Sequence, residues 1–356
     1  MLKRLLSNDL PRSRWLALAL VVIVAALVLA PFIFPGAKAL SVAAKLLVFV
    51  LLVASFDLLL GYTGIVSFAH TMFFGIGAYG VAIARARFGP GWAAVLGGTL
   101  AALLLSLLLS LLIGLFSLRV KAIFYAMITL AVATAFQTLA SQLSDFTGGE
   151  DGLSFKAPAV LSPAFQLFEQ PLLGVNVDGK VLTYYLLLAA VLVLFGLLLR
   201  IVNSPFGRVL QAIRENDFRA EAIGFRAVVY RTWSNVLAAV FATLAGALLA
   251  LWLRYVGPDT TLSFEIMLDI LLIVVIGGMG TLYGAVVGSA VFVLAQNYLQ
   301  DLLKLGGTAL EGVPLLSQLV SPDRWLLWLG VLFVLSVYHF PTGIVGRLRA
   351  RARAVD

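Results

Sequence analysis

The sequence contains no cysteine and only two histidines, His70 and His339. Disulfide bonds and thiolate metal centres are therefore excluded, and two distant histidines lack the spacing of a zinc site. HExxH and GxSxG motifs are absent, as is any paired-carboxylate signature of an enzyme. We therefore expect neither a metal site nor catalytic residues in this chain.

Charge is also scarce. Asp, Glu, Lys and Arg make up 12% of the chain, hydrophobic residues make up 62%, and the mean hydropathy is +1.05. Soluble domains do not have this composition. Several apolar runs reach about 20 residues, enough to cross a hydrocarbon core of about 30 Å. These runs are rich in Leu and Ala and do not alternate with a period of two, so we predict an all-α, polytopic helical bundle in the lipid bilayer.

We place about ten transmembrane segments in a single transmembrane domain, residues 1–356. The predicted segments, all approximate, are 15–35, 39–60, 65–84, 92–117, 121–141, 181–202, 233–254, 264–276, 283–301 and 324–341. Glycine breaks flank the third and eighth, so these two are either full spans or half-helices and re-entrant segments. The first apolar run exceeds the core of a signal peptide, about 7–15 residues, and we expect a retained span.

Basic residues predict the orientation of this bundle. Ten crossings place both termini on one side, and 16 of the 25 basic residues then fall on that side. The positive-inside rule makes this side cytoplasmic. Because the basic residues are grouped in loops and chain ends, the net charge of +8 reflects topology, and we expect no nucleic-acid partner. Arg85 and Arg87 fall on the opposite side, against the rule.

Two short motifs resemble nucleotide-binding sequences without their context. Residues 75–80 match GxGxxG, but they lie in an apolar helical run with no preceding strand. Residues 174–180 approximate a phosphate loop, yet Val181 stands where Ser or Thr would hold Mg²⁺. We therefore expect no ATP site in this chain.

The longest charged interruption, residues 203–231, predicts a compact helical element on the cytoplasmic side. Ser204 is a predicted N-cap with Pro205 at the first helical position. A one-sided apolar stripe follows, formed by Phe206, Val209, Leu210 and Ile213. Asn216 or Asp217 caps a second short helix that ends at Gly224. The mixed charges favour a groove on a soluble protein; an interfacial helix on anionic lipid is the alternative.

Polar residues also interrupt the apolar pattern at residues 61–70, GYTGIVSFAH. Gly61 and Gly64 are predicted to break the helix. Polar groups at membrane depth face protein or a water-filled path, so either helix-to-helix hydrogen bonds or a substrate path explains them. The candidate path residues are Asp57, Thr63, Ser67, His70 and Asp269. Asp269 is a carboxylate in the eighth predicted segment.

A glycine-rich segment, IGGMGTLYGAVVG, occupies residues 276–288. Gly277 and Gly278 are predicted to separate the eighth and ninth segments. Gly280, Gly284 and Gly288 recur every four residues, which is typical of closely packed membrane helices. On the external side, residues 142–180 and 302–323 are predicted as solvated loops or as a docking rim for an external binding protein.

Three stretches in this order, GYTGIVSFAHTMFFGIGAYG, GRVLQAIRENDFRAEAIGF and VVIGGMGTLYGAVVG, resemble the LivM-type permease subunit of branched-chain amino acid ABC importers. The resemblance covers about residues 40–345. It implies a bacterial inner-membrane complex with a LivH-type sister permease, two ATPase subunits that bind ATP and Mg²⁺, and a periplasmic substrate-binding protein. It also implies that residues 205–224 form the coupling element, with the ATPase contacted by Arg208, Arg214, Glu215, Asn216, Asp217, Glu221 and Gly224.

This resemblance implies import of branched-chain amino acids by alternating access. Urea permeases and, more distantly, ribose-type sugar permeases share the family, so urea and other small solutes stay open as cargo. A stand-alone secondary transporter or channel is an alternative from another class. Its ion-coupling carboxylates would be limited to Asp57, Asp269 and Glu265, and the charged element at 203–231 would then have no role. An intramembrane enzyme is a third option, although no nucleophile and base are visible.

Overall fold

Apolar runs that are uninterrupted by charge form most of the helices, as the composition predicts. The computed structural model describes residues 13–33, 36–117, 122–167, 176–309 and 321–353. The helices are α1 (Arg14–Ile33), α2 (Ala37–Thr63), α3 (His70–Phe88), α4 (Trp92–Ser117), α5 (Ala122–Gln142), α6 (Ser144–Thr147), α7 (Gly179–Val202), α8 (Pro205–Glu215), α9 (Asp217–Ala222), α10 (Ala227–Leu253), α11 (Pro258–Thr261), α12 (Phe264–Gly277), α13 (Leu282–Ala309), α14 (Trp325–His339) and α15 (Gly343–Arg353). Two short strands, β1 (Leu153–Ser154) and β2 (Tyr255–Val256), pair antiparallel.

The prediction of an all-α, polytopic membrane protein is confirmed. In the described part of the chain, nine helical stretches are long and apolar enough to cross a membrane. Helix α3, the third predicted segment, is not one of the nine. It has 19 residues, with two arginines in its last turn, and it packs mainly against α4 and α10. Protein rather than lipid therefore surrounds most of α3, which is why its composition is less apolar.

The helix break after α2 lies at Gly64 alone. Gly64 adopts φ 73° and donates its N–H to the carbonyl of Leu59, a left-handed helix end. The prediction that Gly61 also breaks the helix was wrong, since Gly61 lies within α2. A side chain at Gly61 would collide with the carboxylate of Asp57 and the backbone of Gly280. Gly61 thus permits a close approach, and α3 begins only at His70.

Glycines also form the break between α12 and α13. Helix α12 has 14 residues, about 21 Å, and is the doubtful eighth segment. Gly278 and Gly280 adopt φ 116° and 78°, which L-residues with side chains rarely adopt. Gly280 therefore lies in the break and not on a packing helix, a correction to the predicted stripe. Gly284 and Gly288 do lie on α13, packed against the backbone of Gly277.

The described connections gather at two opposite faces of the bundle. We call one the hairpin face, because it holds α8 and α9. Three other segments lie against or beside this hairpin: residues 64–69, the α12–α13 break and the start of α15. The other is the strand face, which holds β1, β2 and residues 89–91. An ion pair at 2.6 Å between Lys38 and Asp301 joins α2 to α13 towards this second face.

The strand face also holds Arg85 and Arg87, whose predicted position departs from the positive-inside rule. Arg85 donates to the carbonyl oxygens of Gly89 at 2.8 Å, Gly91 at 3.2 Å and Lys156. Arg87 lies 4.3 Å from the Phe146 ring centroid, as a cation–π contact. Both guanidinium groups thus have partners in the segments of the strand face. The last turn of α3 therefore lies at the strand face, and α3 runs there from the hairpin face.

Candidate functional site

Helices α8 and α9 form a hairpin whose ends are capped by their own side chains. The Ser204 hydroxyl accepts the N–H of Gly207 at 3.5 Å, with Pro205 in the first turn. Asn216 separates the helices, and its Oδ1 accepts the N–H of Arg219 at 3.0 Å. Of the two predicted caps, Asn216 is therefore the one used. Gly224 follows α9 with φ 98°, as predicted for a helix end.

The predicted apolar stripe attaches this hairpin to the bundle. Leu210 and Ile213 are fully buried, and Phe206 stacks on Tyr230 with 5.8 Å between ring centroids. Helix α8 thereby contacts α2, α7 and α10. The Asp217 carboxylate accepts two hydrogen bonds from Arg231, at 2.9 and 2.8 Å, which tie α9 to α10. The hairpin is therefore held against α2, α7 and α10 on several sides.

The outer surface of the hairpin combines charges with two exposed apolar side chains. Phe218 is 86% exposed and Ile223 is 71% exposed. Around them, the exposed predicted contact residues are Arg208, Arg214, Glu215, Asn216, Glu221 and Gly224. Exposed aromatic groups beside charges are typical of protein interfaces. Sequence reasoning missed Phe218 and Ile223, although their position off the apolar stripe is a readable signal.

Arg214 connects the hairpin to the end of α2. Its Nη1 donates a hydrogen bond to the carbonyl of Gly61. The same atom also lies beside Gly280, since a Cβ added to Gly280 would be 3.0 Å from it. The Asp57 Oδ1 atom accepts the N–H of Gly280 at 2.9 Å. We call this contact the glycine junction (Asp57, Gly61, Arg214 and Gly280). Three motifs that are far apart in the chain therefore meet at one point.

The electrostatics of the glycine junction follow from its burial. Asp57 is 1% exposed, and a carboxylate in such a place needs donors or a positive charge. The backbone of Gly280 supplies the donor, and Arg214 interacts electrostatically with the carboxylate. Although Arg214 as a residue is exposed, its guanidinium is engaged within the chain. Its predicted contact with an ATPase stays a prediction.

Four of the five candidate path residues are enclosed in the bundle. Asp57, Thr63, Ser67 and His70 are each 1% exposed. The Thr63 hydroxyl donates to the carbonyl of Leu59, and the His70 Nε2 atom lies 2.9 Å from the Ser55 hydroxyl. In this conformation their side chains are enclosed by the surrounding helices. Their role along a path stays a prediction.

The fifth candidate, Asp269, lies in a different place. It is half-buried on α12, where its Oδ2 accepts a hydrogen bond from Gln296 at 3.3 Å. Gln296 on α13 also accepts from Lys45 on α2, at 2.8 Å. Sequence reasoning singled out neither Lys45 nor Gln296. A lysine inside an apolar helix is a signal that could have found them. Within the described ranges, no group of three or more His, Cys, Asp or Glu side chains is placed to hold a metal ion.

Comparisons with known proteins agree with this architecture. The model of the family described as "Branched-chain amino acid transport system / permease component" matches residues 38–337. The high-affinity branched-chain amino acid transport system permease protein LivM of Salmonella typhimurium is 25% identical over 299 residues, which cover 80% of this chain and 69% of that protein. Its Escherichia coli counterpart is 26% identical over 301 residues, again 80% and 69%.

A probable branched-chain amino acid transport permease protein LivM of Methanocaldococcus jannaschii is 26% identical over 231 residues. This match covers 64% of the chain and 61% of that protein. A comparison with solved structures found no match.

Proposed function

Because the chain belongs to the branched-chain amino acid transport permease family, we propose that it is the membrane-spanning subunit of an ATP-driven importer of branched-chain amino acids. Separate ATPase subunits would bind the nucleotide and Mg²⁺, and a sister permease would complete the path. The observation that carries the proposal is the α8–α9 hairpin, which is exposed at Phe218 and attached through Arg214 to the last turn of α2.

The hairpin suits the transmission of force from a soluble partner. Its outer surface offers Phe218 and Ile223 as apolar anchors among charges, the composition of protein-binding hot spots. Its inner surface is fixed to α10 by the Asp217–Arg231 ion pair and to α2 by Arg214. When ATP binding draws the ATPase subunits together, the hairpin moves, and the ends of α2 and α10 move with it.

Alternating access, the proposed transport mechanism, would use the glycine junction as a pivot. The junction joins the last turns of α2 to the α12–α13 break. Glycines with positive φ lie directly after α2, at Gly64, and in that break, at Gly278 and Gly280. Such short breaks are places where helices can pivot. A switch from 1:99 to 99:1 between two states requires about 5.5 kcal/mol of differential binding, which nucleotide binding and hydrolysis can provide.

The orientation follows from the same assignment. With the hairpin in the cytoplasm, the strand face lies outside a bacterial inner membrane, and both termini are cytoplasmic. The external surface then includes residues 143–167 and the β1–β2 pair, and a periplasmic substrate-binding protein would dock there. The basic residues support this orientation, since Arg200, Arg208 and Arg231 lie on or near the hairpin.

Replacement of Phe218 by Ala tests the proposed function. The complex of both permeases, the ATPase subunits and the binding protein is purified and reconstituted, and ATPase co-purification and leucine uptake are measured. Truncation of an interface anchor costs about 2–4 kcal/mol, so we expect association to weaken at least tenfold, with a matching loss of uptake.

Phe88→Ala is the matched control, because Phe88 is 80% exposed but lies on the strand face. We expect it to leave ATPase association unchanged. Wild-type association and uptake in the Phe218→Ala complex would contradict the assignment of the hairpin. Leucine uptake by the chain without any ATPase would instead support a stand-alone transporter.

A further inference from the structure

A group of charged and polar side chains lies on α2, α12 and α13, apart from the glycine junction. Lys45 is on α2, about 12 Å along the helix from Ala37. Its Nζ donates to the Oε1 atom of Gln296 at 2.8 Å. The Nε2 atom of Gln296 donates to Asp269 at 3.3 Å. We call Lys45 and Asp269 the bridged pair, because the neutral amide of Gln296 lies between the ammonium group of the one and the carboxylate of the other.

The bridged pair is not an ordinary ion pair. Among the described residues, charged groups within 4.0 Å of each other occur at Lys38–Asp301 and Arg231–Asp217, and Lys45 and Asp269 do not reach this distance. They interact electrostatically through the gap that Gln296 fills. Both charged residues are half-buried. Charges at membrane depth are costly unless they serve a partner, a path or a ligand.

The amide of Gln296 indicates which ligand would fit. It presents an acceptor oxygen to Lys45 and donor hydrogens to Asp269 from a single carbon atom. An α-amino acid in its zwitterionic form presents the same order of groups, since its carboxylate accepts and its ammonium donates. With full charges on both sides, the amino acid makes charge-assisted hydrogen bonds where the amide makes weaker ones.

We propose that Lys45 binds the α-carboxylate and Asp269 the α-ammonium group of the amino acid during its passage, and that Gln296 occupies the site between passages. This inference rests on the proposed function and names the residues of this chain that select a zwitterion. Phe49, one turn along α2 from Lys45, has its ring centroid 5.4 Å from the lysine Nζ. It gives the site an apolar side next to its charged groups.

The Lys38–Asp301 ion pair places the bridged pair below the rim of the strand face. Lys38 precedes Lys45 by two helical turns, and Asp301 follows Gln296 on α13. The side chains of Lys38 and Asp301 are 58% and 59% exposed, so this pair is solvated. Lys38 is therefore a matched control for Lys45, with the same residue type, the same helix and no contact with Gln296 or Asp269.

The test measures ligand binding to the purified permease–ATPase complex without the binding protein, by isothermal titration at millimolar ligand. The probes are leucine, 4-methylpentanoate (no ammonium), leucinamide (no carboxylate) and urea. We expect the wild-type complex to bind leucine best. Lys45→Met and Asp269→Asn should each weaken leucine binding about tenfold or more, since each loses a charge-assisted hydrogen bond. Lys45→Arg should retain more binding than Lys45→Met.

The selectivity of the variants separates recognition from a structural effect. Asp269→Asn should lose the preference for leucine over 4-methylpentanoate, and Lys45→Met should lose the preference for leucine over leucinamide. Lys38→Met should behave as the wild type. This crossed pattern supports the proposal, because a misfolded site would lose all ligands alike.

Four outcomes overturn the inference. They are wild-type leucine affinity in both variants, no measurable leucine binding by the wild-type complex, equal binding of urea and leucine, and loss of the sister permease from the variants. The last would make the bridged pair a subunit contact. In each case, the expected loss of ATPase association in Phe218→Ala, with Phe88→Ala unchanged, would leave the proposed function standing.

Discussion

Removal of the Arg214 guanidinium should uncouple ATP hydrolysis from transport without releasing the ATPase. Arg214→Ala deletes the hydrogen bond from Nη1 to the carbonyl of Gly61, the direct link between the hairpin and the end of α2. A hydrogen bond to a charged group is worth about 1.5–3 kcal/mol. The exposure of Arg214 reduces this value through solvent screening, so we take the lower end, about 1.5 kcal/mol.

This energy corresponds to about a tenfold change in an equilibrium. We therefore expect leucine uptake per ATP hydrolysed to fall about tenfold in Arg214→Ala, because hairpin motion no longer reaches α2 with full effect. Association with the ATPase should stay near the wild-type level, because the guanidinium points into the chain. Uptake and ATPase activity are measured in the same proteoliposomes, and co-purification is measured in detergent.

Two further variants sharpen this experiment. Arg208→Ala removes an exposed arginine of the same hairpin, which makes no hydrogen bond to the described residues of α2, and should leave the ratio of uptake to hydrolysis unchanged. Asp57→Asn removes the negative charge of the carboxylate but keeps a side-chain oxygen that can accept the Gly280 N–H. This variant therefore separates the role of the charge from that of the hydrogen bond. Unchanged coupling in Arg214→Ala, or loss of the ATPase from it, would refute the role of the glycine junction.

Two other predictions concern stability and local order. Gly288→Ala should lower the free energy of unfolding by about 1–3 kcal/mol, because the added Cβ would clash with the carbonyl oxygen of Ile273 and lie 3.1 Å from the Cα of Gly277. Thermal unfolding in detergent checks this, and Gly196→Ala, whose new Cβ meets no neighbouring side chain or helix within 4 Å, should show no loss. Asn216→Ala removes the cap of α9 and should destabilise this short helix by about 1 kcal/mol. Faster amide hydrogen exchange in residues 217–222 would confirm the second prediction, and unchanged exchange there would contradict it.

The hairpin was predictable in detail because its signals are local. Ser204, Pro205 and Asn216 act within a few residues of their own positions, and the stripe through Leu210 and Ile213 has the helical period. The structure confirms each of these elements. Phe218 and Ile223 were missed because the apolar stripe was traced only along α8, and their position off that stripe was not used as a signal of exposure.

The glycine segments were harder to interpret from sequence, since a glycine serves either to end a helix or to admit a neighbour. Gly61 and Gly64 differ in this way. Gly64 ends α2 with a positive φ, whereas Gly61 stays helical and admits Asp57 and Gly280. Gly280 in turn follows the four-residue repeat of Gly284 and Gly288 but lies outside α13. The repeat alone could not distinguish these roles.

The sequence by itself determined the class of protein, most of the apolar segments and the position of the charged hairpin along the chain. It could do so because hydrophobic length, helical period and capping are properties of neighbouring residues. Only the tertiary structure decided that Asp57, Arg214 and Gly280 meet, and that Lys45 and Asp269 face each other across Gln296. These contacts join helices that are far apart in the chain, and their existence depends on how the bundle packs.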